Sequence, residues 1–589
     1  MAQNEKVDVV TVGAGLVAGI MAYQLTQAGL RVVSLEQGPW LTTEEDFSHD
    51  HDELRYNQRR EMMVDLSRET WTWRPSPKDR ALPMRQYGSF NPHQGVGGAA
   101  VHWAAQNWRF YPSDFEYRSH HIERYGEEKL PVGNRIRDWG INWDDIEPYY
   151  DRWEYDSGVS GTAGNIMGEQ IEGGNIFEGP RAREYPLPSL TKSIVADKFT
   201  AAANELGYHP FPQPSGIISE AYPDLAGNMR GACLYCGFCT RYGCEVAAKS
   251  NSLVVHMPAA LDTGLYEIRP DSYVFRINTD SAGNATGVSY IDSAGREQVQ
   301  EADIVLVSAY MLTNVRLLLM SRSNAHQDGI GNDWGLVGTN YTYQLGGGGS
   351  NGLFAGERLN QFMGNGAMGA LIHDFNADNF DHSDLDFIGG GSISSGGGER
   401  NPVGSVGGVR TESGTNWGAE WKEALRENWD SYAGVGIQGE SLPYDDQFVD
   451  LDPTYRDRFG FPLLRITFDW HENDYNLIRY LSPKMREILE RMGATNIQTQ
   501  EELTPYRIGP YQSTHCTGGA IMGTDPGNSV VNRYGQVWDT PNVFVVGASQ
   551  FPQNAGMNPT GTVAALAYMA GDGIVNEYVN APGEIIGTA

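Results

Sequence analysis

The first forty residues carry the clearest alternation of buried-type and turn-type positions in the chain. VDVVTV (7–12) is a short, valine-rich apolar run of the kind that fits a strand buried on both faces. GAGLVAG follows as a turn, and LVAGIMAYQLTQAG (16–29) spaces its apolar residues as a helix that stops at glycine. LRVVSLE (30–36) is a second buried strand, ending in an acid. Strand, glycine turn, helix and acid-terminated strand predict a dinucleotide-binding βαβ unit. The uncharged stretch 9–30 has the length of a membrane span, but Gly-Ala-Gly breaks it, no basic residues precede it and no cleavage site follows. It is therefore expected to be a folded element, neither a targeting segment nor a span.

Further along, residues 274–309 alternate as a β-meander with turns at SAGN and SAGR. Residues 474–494, DYNLIRYLSPKMREILERMGA, form an amphipathic helical pattern. Residues 130–250 are rich in Pro, Gly and aromatics and show little regular pattern. Residues 345–415 are rich in Gly and Ser, which predicts loops or linkers, or else strands that pack close to a ligand. Glycine-punctuated strand and helix patterns resume over the last 85 residues or so, and no internal repeat is present. Interleaved patterns of this kind predict two domains built from discontinuous segments.

Composition narrows the function classes. The chain of 589 residues is long enough for two or more domains. Its 71 glycines lie well above the ~7% average share and imply many tight turns and close backbone approaches. A net charge of −31 repels phosphate backbones and anionic membrane surfaces, which argues against nucleic acid as a partner, and with no later apolar span the chain is expected not to insert directly into a membrane. An acidic substrate would need a local basic pocket.

In the first turn Gly13 permits a tight bend, Gly15 lets backbone N–H groups approach a pyrophosphate, and Ala18 is small enough for helix-to-strand packing. Glu36, at the end of the second strand, is placed to accept hydrogen bonds from an adenosine ribose. The bland alternative is a plain glycine turn beside an exposed acid. The motif does not choose between FAD and NAD.

Three later stretches do. STHCTGGAIMG (513–523), DTPNVFVVGASQFPQNAGMNPTGTVAALAYMAGDGI (539–574) and GLVGTNYT (335–342) resemble the glucose–methanol–choline (GMC) oxidoreductases, with Thr339 standing where the family carries arginine. The resemblance implies an α/β fold with an α+β part: a Rossmann-like FAD-binding domain (1–110, 250–345 and 505–589) interleaved with an antiparallel-sheet substrate-binding domain (111–249 and 346–504). It implies FAD as cofactor, held near Gly547, Ala548, Pro559 and Thr560, with Asn558, Pro559 and Thr562 matching the Asn-Pro-x-x-Thr signature. It also implies that His515 removes the hydroxyl proton while hydride leaves the same carbon for the flavin, and that Asn558 orients the substrate. Without the family, His515 reads as a satisfied core histidine and Asn558 as a helix N-cap, a role Asn558 is expected to fill in either case. Cys516 reads as packing. In GVGGAAVHW (95–103), Gly95, Gly97 and Gly98 are expected to approach the flavin. His102 stands where pyranose 2-oxidase-like relatives bond a histidine to the flavin, so covalent attachment and simple packing both remain open.

Four of the five cysteines, Cys233, Cys236, Cys239 and Cys244, sit within GACLYCGFCTRYGCEV (231–246). Spacing this tight favours metal ligation over disulfides. An iron–sulfur cluster, 3Fe–4S or 4Fe–4S, fits better than zinc, whose knuckles are usually farther apart. A structural cysteine turn is the competing reading. GVGGAAVHWAAQNWRFYPSDF, WDDIEPYYDRWEYDSGVSG and LYCGFCTRYGCE resemble the flavin-bearing subunits of the gluconate 2-dehydrogenase type. That implies oxidation of a secondary hydroxyl of a sugar, sugar acid or glycoside, a small accessory subunit and a cytochrome c acceptor. It also leaves two compartments open: the bacterial periplasm, reached by co-export with a partner, or the cytoplasm. The alternatives are a pyranose 2-oxidase-like or C-glycoside 3-oxidase that reduces dioxygen, and a non-catalytic flavin subunit of an electron-transfer complex.

Overall fold

The computed structural model describes residues 2–48, 62–67, 69–85, 93–397, 406–411, 413–509 and 513–585. Part of the Gly/Ser stretch, 398–405 and 412, lies outside the described residues.

The valine-rich run does form a buried central strand. Val7–Val12 lies between Val32–Leu35 and the C-terminal half of Glu297–Val307, all parallel, with Val9 and Val10 fully buried. Tyr266–Arg269 extends this sheet on one side and Val543–Val545 pairs along Glu297–Val307 on the other. The N-terminal half of Glu297–Val307 instead belongs to the meander with Ala285–Ile291 and Tyr273–Thr279. One strand thus joins the antiparallel meander to the parallel sheet.

Register decides where a ligand can sit. Val12 lies opposite both Leu35 and Val307, and Val307 opposite Val545. The chain therefore leaves the sheet at Gly13, Glu36, Ser308 and Gly547 along one edge, the carboxyl edge at which open α/β sheets bind ligands. The uncharged stretch 9–30 is resolved into strand Val7–Val12 and helix Leu16–Gln27. Among the described residues no helix is long and apolar enough to cross a membrane.

A second, wholly antiparallel sheet runs in the order Phe211–Pro212, Ala370–Ile372, Gly391–Ser395, Tyr432–Gly439, Gly349–Leu353, Thr495–Gln500. The Gly/Ser-rich segment thus supplies strands as well as loops. Helix Glu472–Arg491 covers this sheet, with Leu477, Ile478, Leu481, Met485, Ile488 and Leu489 buried at helical spacing.

Residues 130–250 contain two helices that the patternless composition hides, Trp143–Ser157 and Ile194–Glu205. The first is begun by a capping box between Asn142 and Asp145. Its buried face is aromatic and acidic rather than aliphatic: Tyr150 and Trp153 flank Glu154, whose buried carboxylate takes a two-point contact from Arg109 at 2.9 and 2.8 Å and another contact from Arg181. A charged residue on the inner face obscures the hydrophobic period.

Candidate active site

A cavity of about 530 Å³ opens between the carboxyl edge of the first sheet and strands Gly391–Ser395 and Tyr432–Gly439 of the second. Gly13, Gly15 and Glu36 line one end, and His515, Asn558, Pro559 and Thr560 are also on its wall. Gly436 belongs to the wall from the second sheet, and a Cβ added there would meet nothing within 4 Å.

Two glycine turns build the nucleotide end back to back. Gly13 has φ +91°, and its N–H donates to Leu35 O at 2.8 Å. Gly98 has φ +64°, and a Cβ there would lie 2.8 Å from Gly15 Cα, so the two turns touch through bare backbone. Gly97 N–H donates to Ala14 O at 2.8 Å and ties them together. Glu36 accepts from the N–H groups of Ala14 (3.0 Å) and Gly38 (2.9 Å). Burial raises its pKa, while these backbone donors favour the ionised form. The amino terminus of helix Leu16–Gln27 begins at Gly15 with the spare N–H groups that suit a phosphate.

The other end is organised around His515. A two-residue ladder, Thr342–Tyr343 against Cys516–Thr517, brings Gln344 alongside His515, and Gln344 N–H donates to His515 O at 3.2 Å. The Gln344 amide nitrogen donates to the carbonyls of Ala555 and Met557, both at 2.7 Å, so its oxygen must face the other way, onto His515 Nδ1. A carbonyl oxygen only accepts, so Nδ1 carries the proton and Nε2 the lone pair. Gln438 Nε2 also lies 3.4 Å from Nδ1, at the outer limit of hydrogen bonding, and the closer Gln344 oxygen decides the tautomer.

Asn558 is fixed by the same logic. The indole N–H of Trp108 donates to Asn558 Oδ1 at 2.9 Å, and indole can only donate, so Asn558 Nδ2 points the opposite way, 3.4 Å from His515 Nε2. Asn558 does not cap the following helix. Pro559 occupies the capping place of Thr560–Gly573, without a side-chain hydrogen bond, because the Asn558 amide is engaged by Trp108 and His515. Burial lowers the His515 pKa to about 4, which keeps it neutral at ordinary pH. Cys516 is buried against the Tyr341 hydroxyl at 3.3 Å, and burial pushes its thiol up to about 11, which suits packing rather than nucleophilic attack.

His102 and His93 stand side by side on the cavity wall, ring centroids 5.2 Å apart. His102 Nε2 and both His93 ring nitrogens are buried without a hydrogen-bond partner. Burial lowers the pKa of both, His93 to about 4. Orphaned polar atoms, a bare-backbone cradle and a cavity of this size fit a flavin dinucleotide.

The cysteine loop borders the same cavity. Thr240 and Arg241 line it, Arg241 N–H donates to His102 O at 2.7 Å, and Lys249 Nζ bridges the carbonyls of Trp103, Cys239 and Tyr242 at 3.2, 2.6 and 2.6 Å. All four cysteines line one small cavity of their own, and Cys233 Sγ accepts from Asn365 Nδ2 at 3.4 Å. Burial raises the pKa of Cys233 and Cys236. No three of these sulfurs lie within 4.8 Å of one another. A single tetrahedral zinc would draw them to ~3.8 Å, given its ~2.3 Å bonds to sulfur. Four thiols around one cavity are a donor set of the kind iron–sulfur clusters use.

The structure therefore brings Gly13, Gly15, Glu36, Gly95, Gly98, His102, Gly547, Ala548, Pro559 and Thr560 onto one cavity with His515 and Asn558. Ala18 and Gly97 sit behind it: Ala18 is fully buried in its helix, and Gly97 packs against Val101 and Leu253. Gln344, Gln438 and His93 are site residues outside every quoted motif, and Trp108 lies inside one that gave it no role.

Residues 443–567 match the family described as GMC oxidoreductase. Over 99% of the chain and 95% of the relative, the sequence is 40% identical to the gluconate 2-dehydrogenase flavoprotein of Pantoea cypripedii. It is 30% identical to 2-methyl-1,2-propanediol dehydrogenase of Mycolicibacterium austroafricanum, over 98% of the chain and 96% of the relative. Among solved structures, pyridoxine 4-oxidase from Mesorbium loti superposes with a TM-score of 0.55 at 16% identity, covering 98% of this chain and 100% of that one, a likeness of fold.

Proposed function

The chain belongs to the GMC oxidoreductase family, and from that premise we propose that it oxidises a secondary hydroxyl of a sugar, sugar acid or glycoside to a ketone with His515 as the base. Family members act on CH–OH groups and carry FAD. Bound in the cavity, FAD would supply the acceptor for the hydride that leaves the carbinol carbon. Residues 1–110, 250–345 and 505–589 are assigned to the flavin unit, and 111–249 and 346–504 to the substrate unit.

The observation that carries the reading is the pair His515–Asn558. The hydroxyl proton goes to His515 Nε2, whose lone pair is turned toward the cavity by the Gln344 oxygen on Nδ1. Asn558 Nδ2 donates to the same substrate oxygen as negative charge develops on it, held in place by Trp108. The amino terminus of helix Thr560–Gly573, on the cavity wall, favours negative charge beside it. Gly13, Gly15 and Glu36 hold the adenosine end. Acid-denatured protein reads whether His102 holds the flavin by a bond or by contact.

Cys233, Cys236, Cys239 and Cys244, whose loop is tied to the His102–Trp103 backbone, would hold an iron–sulfur cluster, and such a cluster would supply a one-electron exit for the electrons. A cytochrome c would receive them, and a small accessory subunit would accompany the chain. Co-export with that subunit would place the chain in the bacterial periplasm, and without it the chain would stay in the cytoplasm.

Anaerobic mixing of holoenzyme with aldonates, ketoses, pyranosides and short diols, followed by the visible flavin band, tests the reading. Bleaching by a sugar-type substrate in the parent enzyme, lost in flavin-loaded His515→Ala, is expected. Bleaching at an undiminished rate in His515→Ala overturns the base. Bleaching by diols alone overturns the substrate class. Rapid reoxidation by dioxygen in iron-free protein would instead favour an oxidase.

A further inference from the structure

Away from the cavity, a loop after helix Met311–Met320 meets the turn before strand Val543–Val545. His326 sits in the seam and is 3% exposed. Its Nε2 lies 2.9 Å from Gly283 O and 3.4 Å from Thr540 Oγ1. The carbonyl can only accept, so Nε2 carries the proton and Nδ1 holds the lone pair. Gly283 is a turn residue with φ +95°, and a Cβ there would lie 3.1 Å from His326 Nε2, so the contact relies on bare backbone.

Nδ1 is buried and has no hydrogen-bond partner. What it faces is a carboxylate, Asp539 Oδ2, at 3.8 Å. That separation is too long for a hydrogen bond, and a lone pair turned toward a carboxylate oxygen is repulsive with nothing between them. The carboxylate of exposed Asp333 converges on the same point, with one ligand atom from each of the three residues lying within 4.8 Å of the others.

We propose that His326, Asp539 and Asp333 form a binding site for a divalent first-row transition-metal cation. An ion at the ~2.1 Å usual for imidazole and carboxylate ligands would see two atoms 3.8 Å apart at an angle of about 130°, within the range of open coordination. The His326 N–H given to a backbone carbonyl is the outer hydrogen bond that metal-bound histidines make. Asp539 is held by Gly331 N–H at 3.1 and 3.0 Å and by Thr540 Oγ1 at 2.8 Å, and water would complete the shell. One imidazole and two carboxylates suit Mn²⁺ or Zn²⁺, and the ion would pin the 326–333 loop to the sheet.

The test uses Mn²⁺ alone, because hard Mn²⁺ avoids the thiols of the cysteine loop. Free Mn²⁺ is counted by its electron paramagnetic resonance signal during titration into holoenzyme. One saturable site per chain is expected, weakened at least tenfold both in His326→Ala and in Asp333→Asn. The exposed position of Asp333 lets its variant fold and turn over as the parent does. Absence of a saturable site, or undiminished binding in either folded variant, overturns the proposal.

Discussion

The side-chain oxygen of Gln344 faces Nδ1 of His515, and the Gln344 amide nitrogen cannot take its place because the Ala555 and Met557 carbonyls hold it at 2.7 Å. The protonation site of the proposed base is thereby set by a residue outside the lining of the cavity. Gln344→Leu removes the acceptor and leaves the His515 N–H and the Ala555 and Met557 carbonyls without this partner, each worth ~1–3 kcal/mol. The rate constant for substrate-driven flavin reduction should fall about ten- to hundredfold, with KM little changed. Rapid-mixing spectroscopy reads it, and an unchanged rate would show that the tautomer is set elsewhere.

Trp108→Phe keeps the ring and deletes the N–H that orients Asn558. With Oδ1 released, the amide can turn its acceptor toward His515 and lose its donor for the substrate oxygen. A loss of ~1 kcal/mol, roughly fivefold in flavin reduction, is expected from one neutral hydrogen bond. Asn558→Ala should lose more, and the order of the two variants is the check.

Gly98→Ala places a methyl group 2.8 Å from Gly15 Cα at φ +64°. The left-handed backbone alone costs ~1–2 kcal/mol, and the two glycine turns must part. Flavin retained per chain after gel filtration should drop, and the melting temperature with it. Full retention would place the cofactor away from the Gly15–Gly98 contact.

Cys236→Ser tests the electron exit without touching the base. Three or four irons per FAD are expected in parent protein purified without oxygen. The variant should lose iron and reduce cytochrome c more slowly, yet bleach its flavin with substrate at the parent rate. Iron-free parent protein with full FAD would make the cysteines structural.

The parts of this account legible in the sequence are those whose signal is local. The run from Val7 to Glu36 is a covalently continuous strand, turn, helix and strand, so valine clustering, Gly13 and the terminal acid announce it directly. His515 and Asn558 stand out only through resemblance, since neither has a local pattern of its own. Gln344 was invisible because its role follows from the pairing of Tyr343 with Cys516, a contact between strands more than 170 residues apart. Trp108 is similar: its partner lies 450 positions away. Helix Trp143–Ser157 was hidden for another reason, the charged Glu154 on its inner face, paired with Arg109 and Arg181. The Gly/Ser segment shows the limit of composition, because Gly391–Ser395 is a strand between two others, where hydrogen bonding outweighs weak β-propensity.

The most direct test of the central claim is the pH dependence of flavin reduction by substrate in a single anaerobic turnover. Burial holds His515 neutral down to a pKa of about 4, and only the neutral ring accepts the proton. The rate constant should stay level from alkaline pH down to about 5, then fall about tenfold per unit as pH drops below about 4. In His515→Ala it should be about 10²–10⁴ times smaller, without that limb. A profile that already declines through 6.5 or above, or one shared by His515→Ala, would contradict a buried, neutral His515 as the base.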